Sequence, residues 1–371
     1  MQEESEGDCK QFIIHFIFPK THCKIRVFVV KCEKQILTGG DLVEHLWILW
    51  TVLSVAAFLV FAALLTAYIC FYMCFYVPKK KKYMTDEEIK RLETAEPQIP
   101  EGEIYEVFRE DMLRWTYANR ERDFKRVEIV TDDGLTLRGK FYEYAPGAPI
   151  NIIFHGYRGW AERDLNGGVF RCAAMGHSAL LVDHRGSGLS DGKVITFGVK
   201  EVEDCIRWVK FVHEEFAPEA KILLGGVSMG AATVMMAAGH PDLPECVVGV
   251  LEDCGYSSAK EIIKKVVREM KLPANLLYPF IKLGAKVYGH FDLDATPPIE
   301  AVKKARVPVL FIHGDTDDFV PCEMSERCYE ACTAPKEFVV IPGAGHGLAY
   351  PVDPDGYAKA AKDFFEKHSG V

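Results

Sequence analysis

The chain contains no C-x-x-C pair. Its twelve cysteines follow no repeating interval, and seven of them, an odd number, come after residue 100: Cys172, Cys205, Cys246, Cys254, Cys322, Cys328 and Cys332. Neither a zinc-binding spacing nor a closed disulfide framework can be written from that set, so the thiols read as reduced, in a cytosolic setting. A basic excess is also missing. Lys and Arg number 44 against 53 Asp and Glu, a net charge of −9. With no basic stripe, nucleic acid is excluded as the expected partner. Charge of either sign is absent from Leu46 to Val77, 32 consecutive positions.

That uncharged stretch is what the chain has in place of a second soluble domain. A bilayer core needs about 20 apolar residues, so 46–77 is read as one transmembrane helix. Trp47 and Trp50 at one end, and Tyr68, Tyr72 and Tyr76 toward the other, stand where interfacial aromatic belts stand. Lys79, Lys80, Lys81 and Lys82 come directly after it, whereas Asp41 and Glu44 precede it. Positive flanks stay inside, so the remaining chain is expected on the cytoplasmic side. Cys70 and Cys74 lie on one helical face near that boundary. Residues 1–45 form an N-terminal segment in which "FIIHFIF" and "KIRVFVV" read as short strands with no partner in view.

Residues 78–119 read as a helical stem. Thr85 and Glu88 make a capping-box pattern, Pro97 and Pro100 end that helix, and a second is expected from about Gly102. Its apolar face, Ile104, Tyr105, Phe108, Met112 and Trp115, is expected to pack on the next domain. From residue 120 to the end the rhythm changes. An alternating pattern runs through Asp133-Gly134, a hairpin signal. Then come six apolar runs, "INIIF", "SALLV", "KILLGGV", "VVGVL", "VPVLFI" and "EFVVI", most of them separated by enough chain for a crossover helix. Runs apolar on both faces that alternate with helices predict a mostly parallel, doubly wound α/β sheet, covered on both sides. Sites in such sheets form at the carboxyl ends of strands.

Each run gives way to polar or glycine-rich residues. After the first comes His155-Gly156-Tyr157, after the second Asp183-His184-Arg185, after the third Ser228, after the fourth Glu252-Asp253. After the fifth comes His313-Gly314-Asp315-Thr316-Asp317-Asp318, and after the last a glycine-rich loop with His346. "GGVSMGA" places Ser228 between Gly226 and Gly230, the pattern of a sharp strand-to-helix turn that exposes a nucleophilic hydroxyl. Beyond the acidic residues only His346 and His368 remain, and His368 stands three residues from the end. The order serine, acid, histidine is that of an α/β-hydrolase triad. Asp317 and Asp253 both come after strands and compete for the acid.

With "FHGYRG", "DHRGSGLSDG", "GGVSMGA", "HGDTDDFVP" and "GAGHG" in view, residues 125–368 resemble the α/β-hydrolase superfamily. The nearest branch is that of monoacylglycerol-lipase-like and serine-aminopeptidase-type hydrolases, membrane-anchored members included. The resemblance implies a nucleophile at Ser228, an acid at Asp317, a base at His346, and oxyanion donors in the N–H groups of Tyr157 and Met229. Asp315 and Asp318 are then left to hold the loop or face solvent, and His155, Asp183 and Arg185 to order theirs. No metal, nucleotide or prosthetic cofactor is implied. The segment at about 255–300 matches the family's cap, a short helical element expected over the active site. The resulting expectation is a membrane-tethered serine hydrolase acting on small-molecule or lipid esters. A peptidase or amidase and an acyl-protein thioesterase are the alternatives, and a non-catalytic binding module is a third.

Overall fold

The computed structural model describes residues 10–17, 24–31, 39–78 and 82–371. Three of the four lysines behind the orientation argument, Lys79, Lys80 and Lys81, lie outside the described residues, as do 1–9, 18–23 and 32–38 of the N-terminal segment. Its two apolar runs form β1 (Lys10–Ile17) and β2 (Lys24–Lys31), antiparallel to one another, with Lys10 opposite Lys31. The partner absent from the sequence reading is therefore the neighbouring run itself.

Helix α1 (Gly39–Cys74) carries the uncharged stretch, and its 30 residues from His45 to Cys74 are long and apolar enough to cross a membrane. Every side chain from His45 to Phe61 is exposed. In the stem, Thr85 caps α2 (Asp86–Thr94) through the capping box with Glu88. A short turn of helix, α3 (Glu103–Glu106), then leads into α4 (Arg109–Glu121). Met112 and Trp115 of α4 bury against Ile99 and Leu348, so the apolar stripe of the stem packs on the hydrolase unit.

The main sheet has eight strands. β3 (Lys125–Val130) and β4 (Thr136–Tyr142) form the antiparallel hairpin, turning at Gly134 with φ 79°. β5 (Ile150–Phe154), β6 (Ser178–Val182), β7 (Ile222–Val227), β8 (Val247–Asp253), β9 (Val309–Gly314) and β10 (Lys336–Ile341) run parallel. The spatial order is β10-β9-β8-β7-β5-β6-β4-β3. Alternate residues supply two cores. Ile150, Ile152 and Phe154 face the helices Glu201–Phe211 and Met229–Ala238. Ile153, Leu181 and Leu223 face Gly168–Ala174 and Pro354–Ser369. Burial on both faces is what a parallel sheet with crossover helices requires, and it explains why the strands read as unbroken apolar runs. Residues 1–63 and 64–371 form two compact units.

Candidate active site

The chain leaves β5 toward β6 on one side and returns across β5 to lay β7 on its other side. That reversal opens a crevice at the carboxyl ends of β5 and β7, where sites of this architecture form. Phe154 pairs with Gly226, Val227 with Asp253, and Asp253 with Ile312, so the strand ends are level. The residues just beyond them converge at one edge.

Ser228 stands on the turn between β7 and the helix Met229–Ala238, at φ 57° and ψ −114°, a backbone conformation costly for any residue with a Cβ. Its shoulders must be glycine. A Cβ on Gly226 would lie 2.2 Å from the Gly230 carbonyl carbon, and one on Gly230 would lie 2.1 Å from the Phe154 oxygen. His346 Nε2 is 2.9 Å from Ser228 Oγ, and His346 Nδ1 is 2.7 Å from Asp317 Oδ2. Burial works against ionisation of Asp317, but hydrogen bonds from His313 and His346 outweigh it and bring the carboxyl down to about 2. An ionised carboxylate only accepts, so Nδ1 carries the proton and Nε2 is left to accept from the serine hydroxyl. The Phe319 and Val320 N–H groups, at 2.9 and 2.8 Å, fix the other Asp317 oxygen.

Asp253 does not reach His346 by a hydrogen bond. Its Oδ2 accepts from the Tyr357 hydroxyl at 2.9 Å, beside the buried Arg171, and burial pushes its carboxyl up. Asp317 thus holds the position between the two candidates. The N–H groups that the resemblance implies as oxyanion donors are those of Tyr157 and Met229. A Cβ on Gly156 would lie 3.9 Å from Ser228 Oγ, so the loop after β5 runs against the nucleophile. Among the described residues neither the Tyr157 nor the Met229 N–H has a hydrogen-bond acceptor, and Met229 opens a helix, where N–H groups have no intrahelical partner.

The remaining motif residues hold loops. His155 accepts the His184 N–H at 3.0 Å, and Asp183 accepts from the Ala161 and Leu189 N–H groups at 2.7 Å each. Arg185 pairs with Asp204 and Asp133. Asp315 accepts the Gly343 N–H at 2.6 Å, Asp318 is exposed, and His368 lies tilted against the Phe364 ring.

Several groups here escaped the sequence reading. His313 Nε2 lies 2.8 Å from the Val320 carbonyl and 3.2 Å from Asp317 Oδ2, so Asp317 faces two histidines. Behind it His313 Nδ1 is 2.7 Å from Ser325 Oγ, which is 2.8 Å from Glu252 Oε1. Burial opposes a charge on His313, but Asp317 and Glu252 raise its pKa, and burial pushes the Glu252 carboxyl up to about 7. Tyr105 of α3 donates its hydroxyl to the His346 carbonyl at 3.0 Å. The Gly156 N–H donates to Asp164 at 3.3 Å, and the carboxylate is also paired with Arg163 at 2.6 Å. His313, Glu252 and Gly156 carried a signal as strand-end residues and Tyr105 as one member of the apolar stripe of the stem, but none of it told these roles; Ser325 and Asp164 carried no signal.

A cleft of about 190 Å³ opens beside Ser228. Pro100, Tyr105, Met112 and Trp115 of the stem line it, with Tyr350 packed against Trp115, and Phe319 lines it as well. This corrects the expectation for the cap. Its helices, Ala259–Glu269 and Ala274–Val287, contribute nothing to the lining, because their apolar faces are spent in a separate core with Phe71, Phe75 and Met229. Cys254, Asp317 and His346 have donor atoms within 4.8 Å of one another. The acid and the imidazole already share a proton at 2.7 Å, however, and burial pushes the thiol well up. That donor set is arranged for proton handling, since a metal would need the thiolate.

The model of the prolyl oligopeptidase family matches residues 169–371. The uncharacterized protein YqkD of Bacillus subtilis (strain 168) is 29% identical over 196 residues, 52% of this chain and 63% of that protein. This chain therefore spans less than two thirds of that relative's length. The thiohydrolase aneE of Aspergillus aculeatus is 29% identical over 159 residues, 42% of this chain and 50% of its own. Among solved structures, an esterase of Pyrococcus furiosus superposes with a TM-score of 0.57 at 22% identity, covering 74% of this chain and 98% of that one. At that identity the likeness speaks for the α/β-hydrolase fold.

Proposed function

The chain belongs to the prolyl oligopeptidase family of α/β-hydrolase serine hydrolases, and from that premise we propose that it is a membrane-anchored hydrolase of carboxylic esters working through an acyl-enzyme on Ser228. The observation that carries the reading is the line from Ser228 through His346 to Asp317, at 2.9 and 2.7 Å, behind a serine held at φ 57°. His346 Nε2 takes the hydroxyl proton as Oγ attacks the carbonyl carbon. Asp317 keeps the imidazole in the right tautomer and stabilises its charged form. The Tyr157 and Met229 N–H groups receive the oxyanion, and losing one such donor costs about 100- to 1000-fold. The protonated His346 delivers its proton to the leaving alkoxide. A water activated by the same imidazole then releases the acid.

Esters rather than peptides are favoured by the state of the cleft's carboxylates. An aminopeptidase must pair the substrate's ammonium with a carboxylate. Asp164 is paired with Arg163, and Asp253 is bonded to Tyr357 beside Arg171. Pro100, Met112 and Trp115 give the cleft an apolar part, and α1 would hold the cleft near acyl lipids at high effective concentration. The lysine flank and the free thiols support a cytoplasmic hydrolase unit, a reading that protection from external protease in sealed cells tests.

The substrate class is tested with the full chain in detergent micelles, against p-nitrophenyl esters of increasing length, a matched thioester and an aminoacyl anilide. The cleft holds roughly six times a water's share of liquid volume, and each buried methylene is worth up to about 0.8 kcal/mol, nearly fourfold in rate. The expected kcat/KM rises from acetyl until about six heavy atoms are housed, with the anilide far slower and Ser228→Ala inactive throughout. A flat profile with good anilide turnover would reverse the reading in favour of a peptidase. Thioester turnover above that of the ester would move it toward the chemistry named for the Aspergillus relative.

A further inference from the structure

The last turns of α1 are built into the enzyme. Ala67, Phe71 and Phe75 recur at a spacing of four and are all buried, in contrast with the exposed turns before Phe61. Phe75 lies edge-on to Phe291 and Phe197, with ring centroids 5.2 and 5.8 Å away. The chain then continues as a strand-like edge of the hydrolase unit. The Ile195 N–H donates to the Phe75 carbonyl and the Val77 N–H to the Lys193 carbonyl, both at 2.9 Å, on either side of a bridge between Tyr76 and Val194.

A helix that ends here leaves carbonyls without intrahelical donors. Two neighbouring side chains from the loop after β5 supply them. The Tyr157 hydroxyl donates to the Cys74 carbonyl at 2.6 Å. Arg158 Nη2 donates to the Met73 carbonyl at 2.7 Å and to that of Tyr76 at 3.3 Å. A guanidinium also suits the negative end of a helix dipole. Arg158 does this at φ 55°, a left-handed conformation that a residue with a long side chain adopts at a cost. The strain is held in place by the contacts the residue makes, and those are with the end of α1.

Tyr157 is therefore held at its side-chain end. Its hydroxyl is committed to α1, and its N–H, which has no acceptor among the described residues, belongs to the loop that runs against Ser228. We infer that the C-terminal end of α1 positions the oxyanion hole: the Tyr157 phenol and the Arg158 guanidinium, bonded to the last carbonyls of the helix, set the Tyr157 N–H where the tetrahedral oxygen forms. The inference rests on the oxyanion role proposed above for that N–H. It makes the helix a working part of catalysis as well as an anchor. Tyr157 and Arg158 act as positioning residues, and the helix acts on the transition state through them; Tyr157 also lines the cleft, where its ring is kept by the Phe variant below.

The test uses the full chain in phosphatidylcholine vesicles. Tyr157→Phe removes the bond to Cys74 while keeping the ring and the N–H, and Arg158→Lys keeps the charge while losing the forked reach. The readouts are kcat, KM, melting temperature, and affinity for a boronic acid that mimics the tetrahedral adduct. A displaced donor costs less than a deleted one, so Tyr157→Phe is expected to lower kcat and boronate affinity together by about 10- to 100-fold, with KM within about twofold and melting unchanged. Arg158→Lys moves the same two quantities in the same direction by less. Unchanged kcat in a folded Tyr157→Phe protein overturns the inference. So does a fall in kcat that tracks a fall in melting temperature with boronate affinity intact. If Ser228→Ala retains turnover, it is the proposed function that fails, a result distinct from either.

Discussion

At the scale of single residues, the unusual feature is an acid facing two imidazoles. Asp317 accepts the His346 Nδ1–H at 2.7 Å while His313 approaches the same oxygen at 3.2 Å, and Ser325 links His313 to Glu252. Glu252 has the clearest pH signature in this chain. Burial raises its carboxyl from 4.5 to about 7. Between those values the folded chain keeps a proton that the unfolded chain has lost, so stability is full below about 4.5 and falls as pH rises through about 7. His313, also raised, works in the same sense. Glu252→Gln imitates the protonated form at every pH and is expected to flatten the decline, by on the order of 3 kcal/mol between pH 5 and 8. Urea unfolding at those two pH values reads this directly, and equal losses in variant and parent would rule it out. The sequence could point to Ser228, Asp317 and His346 because each comes after an apolar run inside a short glycine-bearing motif. It could not point to Ser325 or Glu252 as their support, since side chains 73 residues apart meet only when the Cys322–Ala331 helix packs beside β8 and β9.

Among the elements, the stem packs where the sequence put it and also takes the place beside the cleft expected of the cap. Both have apolar faces, and such a face says that it is buried without saying against what. The stem stripe packs onto Leu348 and walls the cleft through Tyr105 and Trp115. The cap stripe meets Phe71 and Phe75. Gly284 marks the closest contact there, since a Cβ on it would fall 2.3 Å from the Ala67 carbonyl oxygen. A chain beginning at residue 78 would lose both phenylalanines and the bridge at Tyr76. Truncating a buried phenylalanine costs about 3–5 kcal/mol, while a whole domain is stable by about 5–15 kcal/mol. Such a chain is expected to melt far lower than one beginning at Leu64, or to aggregate. Matching melting curves for the two, recorded in one detergent, would show that the end of α1 is dispensable.

For the whole molecule, the parallel sheet was legible because its central strands are apolar on both faces, a pattern that half-exposed antiparallel strands do not give. The strand order was not legible. Nothing in "SALLV" or "KILLGGV" says that β7 returns past β5, yet that reversal brings the loop bearing Tyr157 against the turn bearing Ser228. Crossing β5 thus brings Ser228, His346 and the loop bearing Tyr157 into one crevice, and the end of α1 is bonded to that loop. On the proposed function, this crevice makes an acyl-enzyme on Ser228. The direct measurement mixes the full chain with a p-nitrophenyl ester, quenches in acid within the first turnover, counts released p-nitrophenol and maps the acylated peptide by mass spectrometry. The expected result is an acyl group on Ser228 in proportion to the burst, absent from Ser228→Ala together with turnover. An acyl group on another residue, or undiminished turnover by Ser228→Ala, would contradict it.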